Sequence, residues 1–226
     1  MKDNKSTETI SFANMCVQSD KHLRTMRGRS YFSQAGQDLF VLSMLSGKKG
    51  GNYIEIGGAD PFESNNTFLL EKDYSWKGFS VEFDETLASR FNSNRQNPCV
   101  CSDATTFNYE GMLQQLNFPN QIDYLSVDID PAENTYSALM KCPFNEYRFS
   151  VITFEHDLYA SGAKYAELSR IFLQSHGYQL VAKNVKSFGR VFEDWWIDPN
   201  VIPQSTWLSF VCEDMEFSMI FDHKYD

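Results

Sequence analysis

The chain has 226 residues, a formal net charge of −10, and 42% hydrophobic and 15% aromatic side chains. That composition supports one packed α/β domain and disfavours a disordered protein, a pair of independent domains, and a binder of duplex nucleic acid, whose phosphates demand a basic face. No apolar run approaches a membrane span and the first residues lack the apolar core of a signal peptide, so a soluble, cytoplasmic protein with no membrane partner is expected.

Residues 1–30 are polar, mixed in charge and without a sustained period, which reads as an N-terminal arm with a short helix around 12–17. Residues 31–226 read as a single domain with an irregular C-terminal cap. Ser33-Gln34-Ala35-Gly36-Gln37-Asp38 leads into an apolar helix over 39–45, which a Gly-rich break at 47–51 ends. A strand over 52–56 follows and runs into Gly57-Gly58-Ala59-Asp60-Pro61. Two glycines just past a strand end let the backbone turn sharply and approach a ligand closely, although an ordinary strand and turn would look the same in isolation. A helix over 67–72, a strand over 79–83 and a helix over 85–96 complete a βαβ unit. The alternation continues with strands at 99–102, 122–130, 147–156 and 178–184 and helices at 109–116, 132–141 and 163–175. A seventh, antiparallel strand is placed at 187–192; Trp195, Trp196, Pro199 and Pro203 read as the irregular cap, and 206–221 has no clear period. Such alternation implies a mostly parallel sheet covered by helices on both faces, with ligands bound beyond the carboxyl ends of the strands.

The acids fall where that rule would use them. Glu55, Glu82, Asp103, Asp128 with Asp130, and Glu155 each lie at or near the end of a predicted strand. Gathered at one rim, they repel one another unless ligands or hydrogen bonds offset the charge. Glu82 follows Glu55 by 27 positions (82 minus 55), near the spacing of roughly 20 at which an acid after the second strand bonds ribose hydroxyls. The loop lacks the third glycine of a dinucleotide fingerprint, and Asp60 and Glu63 disfavour a pyrophosphate. A nicotinamide-dependent dehydrogenase is therefore the weaker alternative, and a cationic adenosine ligand such as S-adenosylmethionine the stronger.

The segments 31–38, 54–61, 64–67, 78–82 and 122–130, together with Phe192-Glu193-Asp194-Trp195, resemble the FkbM-type methyltransferases over about residues 31–200. The resemblance implies a class I methyltransferase (Rossmann-like) fold with a seven-stranded, mostly parallel sheet. It also implies S-adenosylmethionine held by Glu55, Gly57, Gly58, Asn65, Glu82, Phe83, Asp103, Ala104 and Asp128. Asp130-Pro131 stands where the family often carries an acid followed by glycine, next to the expected reaction centre.

O-methylation needs a base for the acceptor hydroxyl as well as positioning. His156 is the first candidate, with Asp128 and Asp130 as rivals. Asp128, Asp130, Glu155 and His156 are also candidate ligands of a divalent cation that acidifies the acceptor. Lys183, Asn184 and Arg190 are candidate acceptor contacts. The expected activity is methylation of a hydroxyl on a sugar or glycan-like small molecule; the alternative is a catalytically inactive cofactor-binding or assembly module of the same fold. The odd number of cysteines, Cys16, Cys99, Cys101, Cys142 and Cys212, without a second pair at ligand spacing, reads as reduced thiols.

Overall fold

Strand positions alternate between two apolar clusters, so adjacent residues of one strand serve opposite faces of a sheet. Tyr53, Tyr124, Val151 and Trp195 pack on one side, and Ile54, Leu125, Ile152 and Trp196 on the other. The computed structural model describes residues 20–222. The helix expected around 12–17, Cys16 and His223 lie outside the described residues.

After a 3-10 turn over Asp20–His22 the described chain forms a hairpin, β1 (Arg24–Met26) and β2 (Arg29–Tyr31), where the sequence suggested only an arm. The main sheet is formed by β3 (Asn52–Ile56), β4 (Lys77–Glu82), β5 (Cys99–Cys101), β6 (Gln121–Val127), β7 (Arg148–Glu155), β8 (Gln179–Ser187), β9 (Arg190–Ile197) and β10 (Cys212–Glu213). Their order is β10-β8-β9-β7-β6-β3-β4-β5, with β9 antiparallel to both neighbours and the other pairs parallel. The seven expected strands are present, and β10 adds an eighth beside Ala182 and Lys183.

Helices α1 (Gln37–Met44) and α2 (Phe68–Tyr74) contribute to the first cluster. Helices α4 (Tyr109–Gln115), α5 (Ala132–Lys141) and α7 (Lys164–Ser175) contribute to the second. Between them in the chain lie α3 (Glu85–Asn92), capped by the Asp84 carboxylate, and the short α6 (Leu158–Ser161). The tail folds as α8 (Gln204–Trp207), a 3-10 turn over Leu208–Phe210, and α9 (Phe217–Ile220).

Trp195 and Trp196, expected in an irregular cap, lie inside β9 and are wholly buried. Trp195 stacks on Phe40 at 4.8 Å between ring centroids and lies 6.0 Å from Phe221, whereas Trp196 joins the opposite cluster. Two adjacent tryptophans are what a strand with both faces covered accommodates, and the cap begins only after Asp198.

The chain reverses its direction of growth between β3 and β6, and the backbone there is tied across strands: Gly57 N–H donates to Val81 O and Asp128 N–H to Ile56 O, both at 2.9 Å. Next to this point lies Arg95, in the turn after α3, with a fully buried side chain. Its guanidinium donates to Glu71 Oε2 at 2.9 Å, Pro61 O and Asn65 Oδ1 at 3.0 Å, Thr67 Oγ1 at 3.1 Å and Tyr53 Oη at 3.3 Å. The Phe91 and Phe68 rings lie 4.6 and 5.1 Å from it. Glu71 in turn accepts from Gln96 N–H and Asn97 Nδ2. Arg95→Met leaves Glu71 charged without its counterion, so urea unfolding is expected to show a loss of about 3–5 kcal/mol. Adding Glu71→Met should recover part of it.

Candidate functional site

At the carboxyl ends of β3, β4 and β6, together with the loop after β5, a cavity of about 730 Å³ opens. Its walls include Glu55, Gly57, Gly58, Asn65, Glu82, Phe83, Asp103, Ala104 and Asp128, all nine of the cofactor candidates. The backbone explains how they meet. Gly57 has φ +96, and a Cβ there would fall 1.7 Å from Asp128 O, so only glycine lets β3 end this close to β6. Gly58 is less constrained: its Cβ would meet Ser80 Cβ at 3.2 Å and Cys99 Sγ at 3.4 Å.

Asn65 braces the loop. Its Nδ2 donates to Gly58 O at 3.1 Å and Asp60 O at 3.2 Å, while its Oδ1 accepts from Arg95 and from Thr67. Glu55 is buried and accepts from Ser80 Oγ at 2.6 Å. Burial pushes its carboxyl up to about 7, against the opposing pull of Arg95 and of hydrogen bonds from Ser80, Thr67 and Asn65. Glu82 accepts from Ala59 N–H through Oε2 and from Asp84 N–H through Oε1, each at 2.9 Å. Each oxygen keeps a lone pair for a further donor. Phe83 presents an exposed ring at the mouth, and Asp103 is exposed and fixed by Thr105, whose N–H and Oγ1 donate to it. Those bonds lower the Asp103 carboxyl below the ordinary range.

A second cavity of about 410 Å³ adjoins the first, and Gln34 and Ser64 line both. Gln34 is carried by the Ser33–Asp38 turn, which locks itself: Asp38 accepts from Phe32 N–H at 2.8 Å and Ser33 Oγ at 2.6 Å, and Gln37 Oε1 accepts from Ala35 N–H at 2.7 Å. Glu155 lines the second cavity, together with Arg24, Tyr159, Phe188 and Arg190. Asp128, half-buried on the first cavity, and Asp157 both act on Glu155 through their charge. Burial and the adjacent Asp128 drive the Glu155 carboxyl far above its ordinary value, and burial raises the Asp128 and Asp157 carboxyls as well.

The remaining sequence candidates are placed differently. His156 is wholly buried and lines neither cavity; Leu158 N–H donates to its Nδ1 at 3.3 Å, and its Nε2 lies 3.3 Å from Asp194 Oδ1. Arg170 donates to the same carboxylate through Nε at 2.7 Å and Nη2 at 2.9 Å. His156 thus sits beside the buried Asp194–Arg170 pair rather than on the wall of either cavity. Asp130 is exposed on the first cavity. Among the described residues no group of three or more His, Cys, Asp or Glu side chains is arranged to hold a metal ion, so Asp128, Asp130, Glu155 and His156 do not form the cation site expected from their types. Lys183 is paired with Glu213 and Asn184 with Asp214, which leaves Arg190 as the acceptor-contact candidate that reaches a cavity. Sequence reasoning missed Arg95, whose polar neighbours Ser93, Asn94 and Gln96 suggest a surface turn, and Gln34 as the shared wall.

No protein-family model and no curated protein matches the sequence. Among solved structures, the METTL16 MTase domain superposes with a TM-score of 0.51 at 12% identity, over 82% of this chain and 90% of that one. The chain has the class I methyltransferase fold. Cofactor-bound Rv0187 from MTB scores 0.49 at 17% identity, over 82% of this chain and 88% of that one. Aeropyrum pernix fibrillarin with natively bound S-adenosyl-L-methionine scores 0.47 at 14% identity, over 77% and 81%. No helix among the described residues is long and apolar enough to cross a membrane.

Two outcomes follow from the geometry of this methyltransferase fold. Gly57→Ala should lower stability by at least about 2 kcal/mol, whereas Gly58→Ala should stay within about 1 kcal/mol of the parent in the same unfolding assay. The folded protein keeps a proton on Glu55 up to about pH 7, while the unfolded chain releases it near the ordinary value of 4.5. Stability of the unliganded protein therefore falls as pH rises between those values and levels off above them. Glu55→Gln should remove that decline, gaining on the parent by roughly 1–3 kcal/mol across the window.

Proposed function

We propose that this chain is an S-adenosylmethionine-dependent methyltransferase that methylates a hydroxyl group, in keeping with its resemblance to the FkbM-type enzymes. One observation carries the reading: the first cavity is lined by seven acids, Glu55, Asp60, Glu63, Glu82, Asp103, Asp128 and Asp130, and by no lysine, arginine or histidine. Such a wall repels a diphosphate and attracts a nucleoside that carries positive charge.

Glu55 and Asp128, with the Gly57 backbone, would face the cationic methionine end. Glu82 would take the ribose hydroxyls on its free lone pairs. Phe83 and Ala104 would offer apolar surface to the adenine, with Asp103 at its edge. S-adenosylmethionine supplies an electrophilic methyl group when bound. The chain's own part is to bring the acceptor oxygen in line and to receive its proton, and the second cavity, joined to the first at Gln34 and Ser64, is where the acceptor would sit. Asp128 on the first cavity and Glu155 on the second flank that junction; Asp128 would accept the hydroxyl proton, and Glu155 and Asp157 would share it. A hydroxyl proton taken this way requires neither His156 nor a metal ion. The sugar or glycan-like character of the acceptor rests on the sequence resemblance.

Calorimetric titration with S-adenosylhomocysteine is expected to show one site per chain. Glu82→Ala should weaken it about tenfold or more, the loss expected for a charge-assisted hydrogen bond. A folded protein that binds neither this product nor S-adenosylmethionine would overturn the proposal. Transfer of a labelled methyl group to a sugar panel separates an active enzyme from a binding module. Asp128→Asn, assayed at saturating cofactor, should lower transfer by about 10²–10⁴-fold, the usual contribution of a positioned base.

A further inference from the structure

The two adjoining cavities differ in the sign of their charge. The charged residues that line the first are all acids, whereas the second holds Arg24 and Arg190 against one acid, Glu155. Neither arginine has a carboxylate ion-pair partner among the described residues. Arg24 donates to neutral partners, Ser33 O at 3.1 Å, Gln34 O at 3.3 Å and Ser64 Oγ at 3.0 Å. Arg190 is exposed, lies 5.4 Å from the centre of the Tyr159 ring, and has no carboxylate ion-pair partner among the described residues. In a chain of net charge −10, two guanidiniums on one cavity without an ion-pair partner among the described residues stand out.

The surroundings of Arg190 are built rather than incidental. It sits at the start of β9, paired with Ser187 across a tight hairpin whose Gly189 N–H donates to Glu216 Oε1 at 2.6 Å. That bond commits Glu216 to the backbone. Phe188, at the hairpin tip, is 96% exposed, and Tyr159 faces the same cavity. A guanidinium resting on an aromatic ring keeps its planar edge of N–H donors turned outward, the geometry that grips phosphate or carboxylate through two parallel hydrogen bonds.

We infer that the second cavity takes an acceptor bearing an anionic group, a phosphate or a carboxylate on a hydroxylated ring compound, with Arg190 as the principal anion contact, Arg24 as a supporting charge, and Tyr159 and Phe188 as the surfaces for the ring. This rests on the methyltransferase reading only in calling the occupant an acceptor; the anion site itself follows from the arginines. The placement has a chemical logic. The anion docks on the side away from the acid-lined donor cavity, so the hydroxyl is left to approach Asp128 and Glu155.

The test uses the full chain saturated with S-adenosylhomocysteine and titrated with phenyl phosphate, benzoate or phenol. Phenyl phosphate or benzoate should bind, with affinity falling as salt rises, and phenol should bind at least about tenfold more weakly, the difference expected for a charged bidentate contact. Arg190→Gln, on an exposed side chain, should reduce anion affinity about tenfold or more without changing S-adenosylhomocysteine affinity or the unfolding midpoint. Arg190→Lys should recover part of it. Equal binding of phenol and the two anions, no anion binding at all, or unchanged anion affinity in Arg190→Gln would each overturn the inference. If S-adenosylhomocysteine fails to bind but phenyl phosphate still depends on Arg190, the cofactor reading falls and the anion site stands. If the reverse is found, the anion site falls alone.

Discussion

The buried guanidinium of Arg95 is the constraint from which the site takes its shape. One side chain holds the phenol of Tyr53 on β3, the carboxylate of Glu71 on α2, the carbonyl of Pro61, and Asn65, which braces the glycine loop. Placing a full charge there is costly, and only a complete set of partners makes it tolerable. The same requirement fixes the loop that the partners belong to. Glu55, on β3 just before that loop, experiences both consequences: burial raises its proton affinity, and the nearby guanidinium limits the rise.

A second organising principle is the division of charge between two neighbouring cavities. Acids at the ends of β3, β4 and β6 face one space, whereas the arginines of β1 and β9 face the other. The boundary is made by Gln34 and Ser64, and Arg24 bonds the carbonyl of Gln34 and the hydroxyl of Ser64 at once. The N-terminal hairpin thereby becomes part of the wall. A sheet with its topological switch between β3 and β6 supplies the crevice; side chains from elements distant in sequence give its halves opposite character.

Much of this was legible in the sequence because it depends on local pattern. Strand and helix alternation, the glycine pair and the acids at strand ends each leave a signal within a few residues, and all nine proposed cofactor residues meet on one cavity. What was not legible depends on contacts across the chain. Trp195 and Trp196 look like a cap beside Pro199, yet each belongs to a different face of a covered strand. His156 beside Glu155 and Asp157 looks like a base, but it is wholly buried, with its ring beside Asp194 of β9. Arg95 shows least of all: nothing in a polar turn signals that a guanidinium will point inward.

The bracing of the glycine loop also bears on motion. Asn65 ties Gly58 and Asp60 from above and is itself held by Arg95, whose other partners lie in β3 and α2. Releasing the loop therefore means breaking contacts that Arg95 shares with β3 and α2. A ligand arriving there meets a surface already ordered before binding, so little of its interaction energy goes into fixing the backbone.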